Sequence, residues 1–274
     1  MAGDHGIVNE GVSAYPQEVT AAMVQTFLAG GAGINAISRH VGAEVWVVDV
    51  GIIPELDPAA LPNKDRFFVR KVGNGTANFA TGPAMTLDEA EKSVQVGFDK
   101  AAELFKDGVE ILGTGDMGIG NTTPSAAVGI VLTGKGLDDM VGRGTGVDDE
   151  GLNRKKEAIR RGLALNNPDG GNGFDVLSKV GGFEIGAIAG SILAATAIVL
   201  IRSGRTEALT AALAASNRNM GLMPAAVGAS LPPDTWLWFA LAQFPIYLLP
   251  LIISPMIPGL TGKKPHHHSG AGPG

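Results

Sequence analysis

Val109-Glu110-Ile111-Leu112-Gly113-Thr114-Gly115-Asp116-Met117-Gly118-Ile119-Gly120-Asn121-Thr122-Thr123-Pro124 is the stretch on which the fold turns. Its first four residues read as a strand, its middle is a glycine-rich turn, and 124–132 continue as a small-residue helix pattern. A strand that turns through glycines into a helix start aims unpaired backbone N–H groups at one point. Such a point suits an anion, most often a phosphate. The spacing matches neither the dinucleotide fingerprint G-x-G-x-x-G with its downstream acid nor a P-loop, which requires Gly-Lys-Ser/Thr. A tight turn inside an α/β domain accounts for the same residues, and both readings stand at this point.

Outward from this stretch the chain alternates in the α/β manner. Helical spacing over 19–37 begins after Pro16, with Glu18 in the first turn. Residues 44–50, Glu-Val-Trp-Val-Val-Asp-Val, read as a buried strand ended by Gly51. Thr86 stands three residues before Glu89, a capping box for a helix running to about Lys106. Residues 151–165 read as a charged, solvated helix. Strands separated by helices of this length imply parallel pairing with right-handed crossovers. The expected fold is α/β, a doubly wound parallel sheet (incomplete), followed by an apolar helical hairpin. In such sheets ligands bind beyond the carboxyl ends of the strands, where the glycine turns lie.

Charge divides the chain unevenly. The 274 residues carry −6 overall. From 185 onward stand Arg202, Arg205, Arg218, Lys263 and Lys264 against Glu207 and Asp234, which is +3 and leaves −9 on the first 184 residues. An acidic, glycine-rich first part argues against a nucleic-acid partner. The absence of cysteine excludes a disulfide framework and thiolate metal sites and is compatible with a reducing cytoplasm. Residues 1–11 are polar and glycine-broken, unlike a signal peptide. Residues 235–262 hold no charge, a length sufficient to span a bilayer, and Leu231-Pro232-Pro233-Asp234 separates them from 208–231, which holds one charge, Arg218, beside Ser216, Asn217 and Asn219. Basic residues flank both outer ends, so 206–260 read as a membrane hairpin on a cytoplasmic domain. A pair of buried core helices is the competing reading, favoured by Pro245, Pro250, Pro255 and Pro258. The domains expected are 1–197, 198–262 and a disordered tail, 263–274, in which His266, His267 and His268 look incidental.

Several polar clusters fall near the ends of the expected strands. Ala2-Gly3-Asp4-His5-Gly6 opens the chain; no second His or Cys lies at ligand spacing, so no metal is expected. Gly73-Asn74-Gly75-Thr76-Ala77-Asn78 with Gly82-Pro83-Ala84-Met85 forms a second turn. Gly142-Arg143-Gly144-Thr145-Gly146-Val147-Asp148-Asp149 is a third, ahead of Arg154, Lys155 and Lys156. A cation one helical turn beyond a glycine loop suits phosphate, and a solvated basic face explains any one of the three equally well.

These clusters recur in a specific order. Together with Gly11-Val-Ser-Ala-Tyr-Pro16, Phe27-Leu-Ala-Gly-Gly-Ala32, Val48-Asp49-Val50-Gly51, Gly118-Ile-Gly-Asn-Thr-Thr123 and Gly181-Gly-Phe-Glu184, they resemble nicotinate-nucleotide–dimethylbenzimidazole phosphoribosyltransferases over about residues 1–196. The resemblance implies a doubly wound homodimer that transfers phosphoribosyl from nicotinate mononucleotide to 5,6-dimethylbenzimidazole, giving α-ribazole phosphate for the lower ligand of cobalamin. It implies no cofactor. It assigns Asp116, Met117 and Gly118 to the nucleotide, with Asp116 standing where the family has Glu. Lys155 takes the phosphate beside Gly144, Thr145 and Gly146, and Tyr15 and Met23 line the base pocket.

The likeness also has gaps. The family's catalytic Glu lies in a Gly-Glu-Gly-Ser-Gly segment that this sequence does not contain, and its N-terminal helices and the strand expected before Ala2 have no counterpart. Asp4, Asp116 and Glu184 remain as candidate bases, and impaired turnover is expected. From about Ile198 the sequence is similar to the end of bile acid:sodium symporter-type transporters, through Ser216-Asn-Arg-Asn-Met-Gly-Leu222 and Phe239-Ala-Leu-Ala-Gln-Phe-Pro-Ile-Tyr-Leu-Leu249. The alternative function is a catalytically impaired nucleotide-binding domain fused to a transporter fragment.

Overall fold

The computed structural model describes residues 1–203. β1 (Ala2–Gly3), β2 (Val47–Gly51) and β3 (Phe67–Val69) form a parallel sheet in that order, with Ala2 opposite Asp49 and Val47 opposite Phe67. On the other edge of β1, Gly3 N–H donates to Met117 O at 3.0 Å and Met117 N–H to Met1 O at 2.9 Å. The Met117 segment therefore stands on the side of β1 away from β2, and the direction of strand succession reverses at β1. That reversal is where a doubly wound sheet opens a crevice at its carboxyl edge.

Both faces of the sheet are covered. On one, Val24 and Leu28 of α1 (Val19–Ala29) pack with Val47, Ile52 and Phe67. On the other, Val48 and Val50 join Ala90 of α3 (Leu87–Lys106), Val176 and Val180 of α7 (Gly173–Val180), and Phe183 and Ala187 of α8 (Phe183–Ser203). Cover on two sides explains why 47–50 is apolar at almost every position. Asp49 is the exception, and its Oδ1 is satisfied by Gly51 N–H at 3.0 Å and Ile52 N–H at 2.8 Å.

The helix expected over 19–37 is two helices, α1 and α2 (Gly33–Val41). Gly30 sits at φ 79°, a left-handed position, and its N–H returns to Phe27 O and Thr26 O, which ends α1. The strand expected at 44–50 starts only at Val47 and includes Gly51. The capping box is present as read: Thr86 Oγ1 accepts from Glu89 N–H at 3.2 Å, and Thr86 N–H donates to the Glu89 carboxylate at 2.8 Å. The helix read from Pro124 is α4 (Thr122–Thr133), which places Pro124 within its first turn, where its missing N–H costs nothing. A short α5 (Leu137–Met140) follows. The charged helix is α6 (Asp149–Asn166), and it is not solvated throughout: Lys155, Ala158, Ile159 and Gly162 are buried.

Residues 109–112 form no strand. They lack ladder partners and Ile111 is 73% exposed. Backbone pairing on that edge of β1 begins only at Gly115, whose carbonyl accepts from the Met1 nitrogen at 2.9 Å, and continues at Met117, both beyond the apolar residues. β3 and α7 are not among the elements expected from the sequence; β3 has only three residues and α7 follows a Gly/Asn-rich turn. Contacts gather Met1–Ser191 into one compact unit. The boundary expected at 197 falls within α8. The expected hairpin 206–260 and the tail 263–274 lie outside the described residues, among which no helix is long and apolar enough to cross a membrane.

Candidate functional site

The site assembles where strand order reverses. β1 delivers Asp4 and His5, and the bridge at Met117 delivers Gly118 beside them. His5 is fully buried, and its Nε2 lies 3.1 Å from Glu184 Oε1, in the first turn of α8. The contact has ion-pair distance but not hydrogen-bond direction, and the ring nitrogens and both Glu184 oxygens have no hydrogen-bond partner. Burial alone would lower the His5 pKa. The charge and contact of Glu184, with weaker pulls from Asp4 and Asp116, outweigh burial and hold the imidazole above its ordinary value.

Glycine is required around this pair. A Cβ on Gly118 would stand 2.2 Å from Gly3 O and 3.0 Å from His5 Nε2. On Gly182 it would stand 2.6 Å from both Glu184 Oε1 and His5 Cε1. His5 is held by its backbone too: its carbonyl accepts from Gln17 Nε2 at 3.2 Å, and Gly6 N–H donates to Thr76 O at 2.9 Å.

The turn leaving Gly118 leads to a buried cation. Ile119 N–H donates to the buried Thr20 Oγ1 at 3.0 Å and Asn121 N–H to Gly118 O at 3.0 Å, which sets the entry to α4. Asn121 Nδ2 donates to Asp116 Oδ2 at the exposed rim. One residue on, Thr122 Oγ1 accepts from Lys155 Nζ at 2.7 Å, and Gly142 O accepts from the same ammonium at 3.1 Å. Lys155 is 1% exposed and has no carboxylate within ion-pair distance among the described residues. Burial lowers its pKa. Gly144, at φ 56°, closes over the pair; a Cβ there would meet Thr122 Oγ1 at 2.7 Å and Lys155 Nζ at 3.1 Å.

The other residues singled out from the sequence fall as follows. Thr145 Oγ1 accepts from Ala14 N–H at 3.2 Å and lies 3.2 Å from Ser13 Oγ, so the loop of Gly144, Thr145 and Gly146 is tied to the segment carrying Tyr15, which is 53% exposed. Met117 contributes its backbone to the bridge and its side chain to the cluster under α1. Met23 is half-buried on α1 and outside the hydrogen-bonded group. Asp4 is buried, with Oδ2 accepting from Ile53 N–H at 2.8 Å. Glu184 is committed to His5, and Asp116 alone of the three candidate bases is exposed. His5 and Thr122 join this candidate site from the structure and are not among the site residues expected from the sequence. The sequence placed Asp4-His5 at the chain start but held no local sign that Glu184 would meet it.

Fold and site together define a doubly wound α/β domain with its polar residues gathered at the reversal of strand order. The DBI_PRT phosphoribosyltransferase family model matches residues 1–223, and the chain belongs to this family. It is 53% identical over 197 residues to the nicotinate-nucleotide–dimethylbenzimidazole phosphoribosyltransferase of Roseiflexus sp. (strain RS-1), covering 72% of this chain and 54% of that protein. The enzyme of the same name from Chloroflexus aggregans is 46% identical over 229 residues, 83% of this chain and 62% of its own length. The crystal structure of CobT from Thermus thermophilus matches with a TM-score of 0.66 at 47% identity, over 72% of this chain and 57% of that one. The chain thus spans about half the length of most of these relatives. The family match also passes the limit of 196 read from the sequence and enters the segment expected as a hairpin. Nothing in these matches points to a transporter.

Proposed function

We propose that this chain carries the nucleotide-binding part of an enzyme that transfers phosphoribosyl from nicotinate mononucleotide to 5,6-dimethylbenzimidazole. The observation that carries the reading is Lys155: a buried ammonium with no carboxylate within ion-pair distance among the described residues, donating to Thr122 Oγ1 and Gly142 O beneath a glycine loop. A buried cation left without a counter-charge is costly, and a phosphate supplies that charge. The names of the relatives supply the substrate class. Asp116, Met117 and Gly118 face the nucleotide in this reading, Gly144, Thr145 and Gly146 close on its phosphate, and Tyr15 and Met23 border the base. Nicotinate leaves the anomeric carbon as a benzimidazole nitrogen attacks, and a carboxylate takes the proton. Asp116 is the exposed candidate for that base.

Calorimetry with nicotinate mononucleotide tests the seat. Lys155→Met keeps the stem and removes the charge. A charge-assisted hydrogen bond contributes about 1.5–3 kcal/mol, so affinity should fall roughly ten- to a hundredfold. Equal affinity in the folded variant would remove Lys155 from the site. Product analysis with 5,6-dimethylbenzimidazole then tests turnover.

The same reading makes the protein a cytoplasmic homodimer with a membrane contact through 206–260. The uncharged run 235–262 supports the contact. The full chain is expected in the membrane fraction; recovery as a monodisperse species without detergent would overturn it.

A further inference from the structure

The His5–Glu184 pair has no role in the chemistry above, yet it is the most deeply buried ionisable pair described. Its four ring and carboxylate polar atoms lack hydrogen-bond partners. Groups so placed are expensive unless they secure something. What they touch is the glycine turn: Gly118 leaves room for no more than a hydrogen atom between Gly3 O and His5 Nε2. From Gly118 the path to the cation is short, because Asn121 N–H is bonded to Gly118 O and the next residue, Thr122, receives Lys155.

We propose that the His5–Glu184 pair is a positioning device for the Gly118–Thr122 turn, so that the charge on His5 sets the geometry of the anion seat at Lys155 without touching the ligand. The functional half of this inference rests on the reading of that seat given above; the structural half does not. When His5 is protonated, it attracts Glu184 and holds α8 and β1 together beneath Gly118. When it is neutral, a buried carboxylate faces an uncharged ring, and the turn packed on that ring loses its fixed support. The charged groups that bear on His5 are Glu184 from α8, Asp4 from its own segment and Asp116 from the turn. Asp116 also bonds Asn121 directly, so a variant at Asp116 serves as the control.

The test is nuclear magnetic resonance of the full chain, with labelled histidine and glycine, through a pH titration. The amides of Gly118 and Gly120 are expected to shift with the midpoint of the His5 ring. Asp116→Asn, which leaves His5 and Glu184 in place, should leave the histidine transition in place. His5→Gln should abolish that transition and weaken nicotinate mononucleotide binding at neutral pH by about fivefold or more, the lower end of ordinary coupling between sites. Glycine amides that ignore the His5 midpoint in the wild-type chain would overturn the proposal, whether or not His5→Gln folds. Amides that follow His5 in a chain whose nucleotide affinity is untouched by His5→Gln would overturn the link to the seat. If the wild-type chain binds no nicotinate mononucleotide, the phosphate reading fails, and the amide titration still decides for or against the positioning role.

Discussion

Gly97→Ala is expected to cost about 3 kcal/mol of stability, whereas the same exchange at an exposed helical position gains about 1 kcal/mol from helix propensity. The sign is set by where α3 meets α8. A Cβ on Gly97 would stand 1.7 Å from Ala187 O and 2.5 Å from its carbonyl carbon, and both belong to backbone that cannot turn aside. The facing helix repeats the device one turn apart. A Cβ on Gly186 would lie 1.9 Å from Ser93 Oγ, and one on Gly190 would lie 1.8 Å from Val94 O. Ser191 Oγ sits 3.1 Å from Gly97 O and 3.0 Å from Ala187 O, within donating distance of both helices. The helices therefore touch backbone to backbone, and α8 cannot retreat without lifting Phe183 and Glu184 out of the core. Gly173→Ala, at the open first turn of α7, serves as the control and should be neutral or slightly stabilising. Urea denaturation followed by circular dichroism compares the two variants. Similar midpoints would refute the close approach.

Elements specified by local chemistry were legible in the sequence. Thr86 and Glu89 mark the start of α3 because each satisfies a backbone or hydroxyl group of the other, within three residues. The run 47–50 is legible because a strand covered on both faces has little choice but apolar residues. The misreadings have the opposite character. Residues 109–112 carry strand-like side chains, but a strand exists only through its neighbours, and the neighbour is reached only at Gly115 and Met117. The division of 19–37 hinged on Gly30 taking a left-handed conformation, which apolar periodicity does not register.

The site was legible to the extent that it is made of turns. The loop of Gly144, Thr145 and Gly146 and the entry to α4 both appear as glycine clusters, and Lys155 follows one of them at helical spacing. That Lys155 would be buried, on a helix otherwise read as solvated, depends on Thr122 and Gly142 meeting it from elsewhere in the chain. His5 and Glu184 stand at opposite ends of the described fold in sequence, and only the crossing of α8 over the sheet makes them a pair. Ion pairs between distant residues leave no periodic trace.

Glu184→Ala is expected to cost about 3–5 kcal/mol, the usual penalty for leaving one member of a buried pair uncompensated. The more informative variant is Glu184→Gln, because it alters the pH dependence in sign. In the wild-type chain the His5 pKa is raised in the folded state, so folding takes up a proton. The stability it contributes is fully present below the unfolded value of about 6.5 and is lost as pH rises through the higher folded value. In Glu184→Gln the principal attraction is gone and burial remains, so the folded pKa drops below 6.5 by the same reasoning, to the extent that burial exceeds the pulls of Asp4 and Asp116. Folding then expels a proton, and stability rises with pH through about 6.5. Thermal midpoints measured from mildly acidic to mildly basic pH should fall for the wild type and rise for the variant. Parallel profiles would mean that the imidazole does not hold its proton against Glu184, and the pair would then be a neutral contact rather than an ionic one.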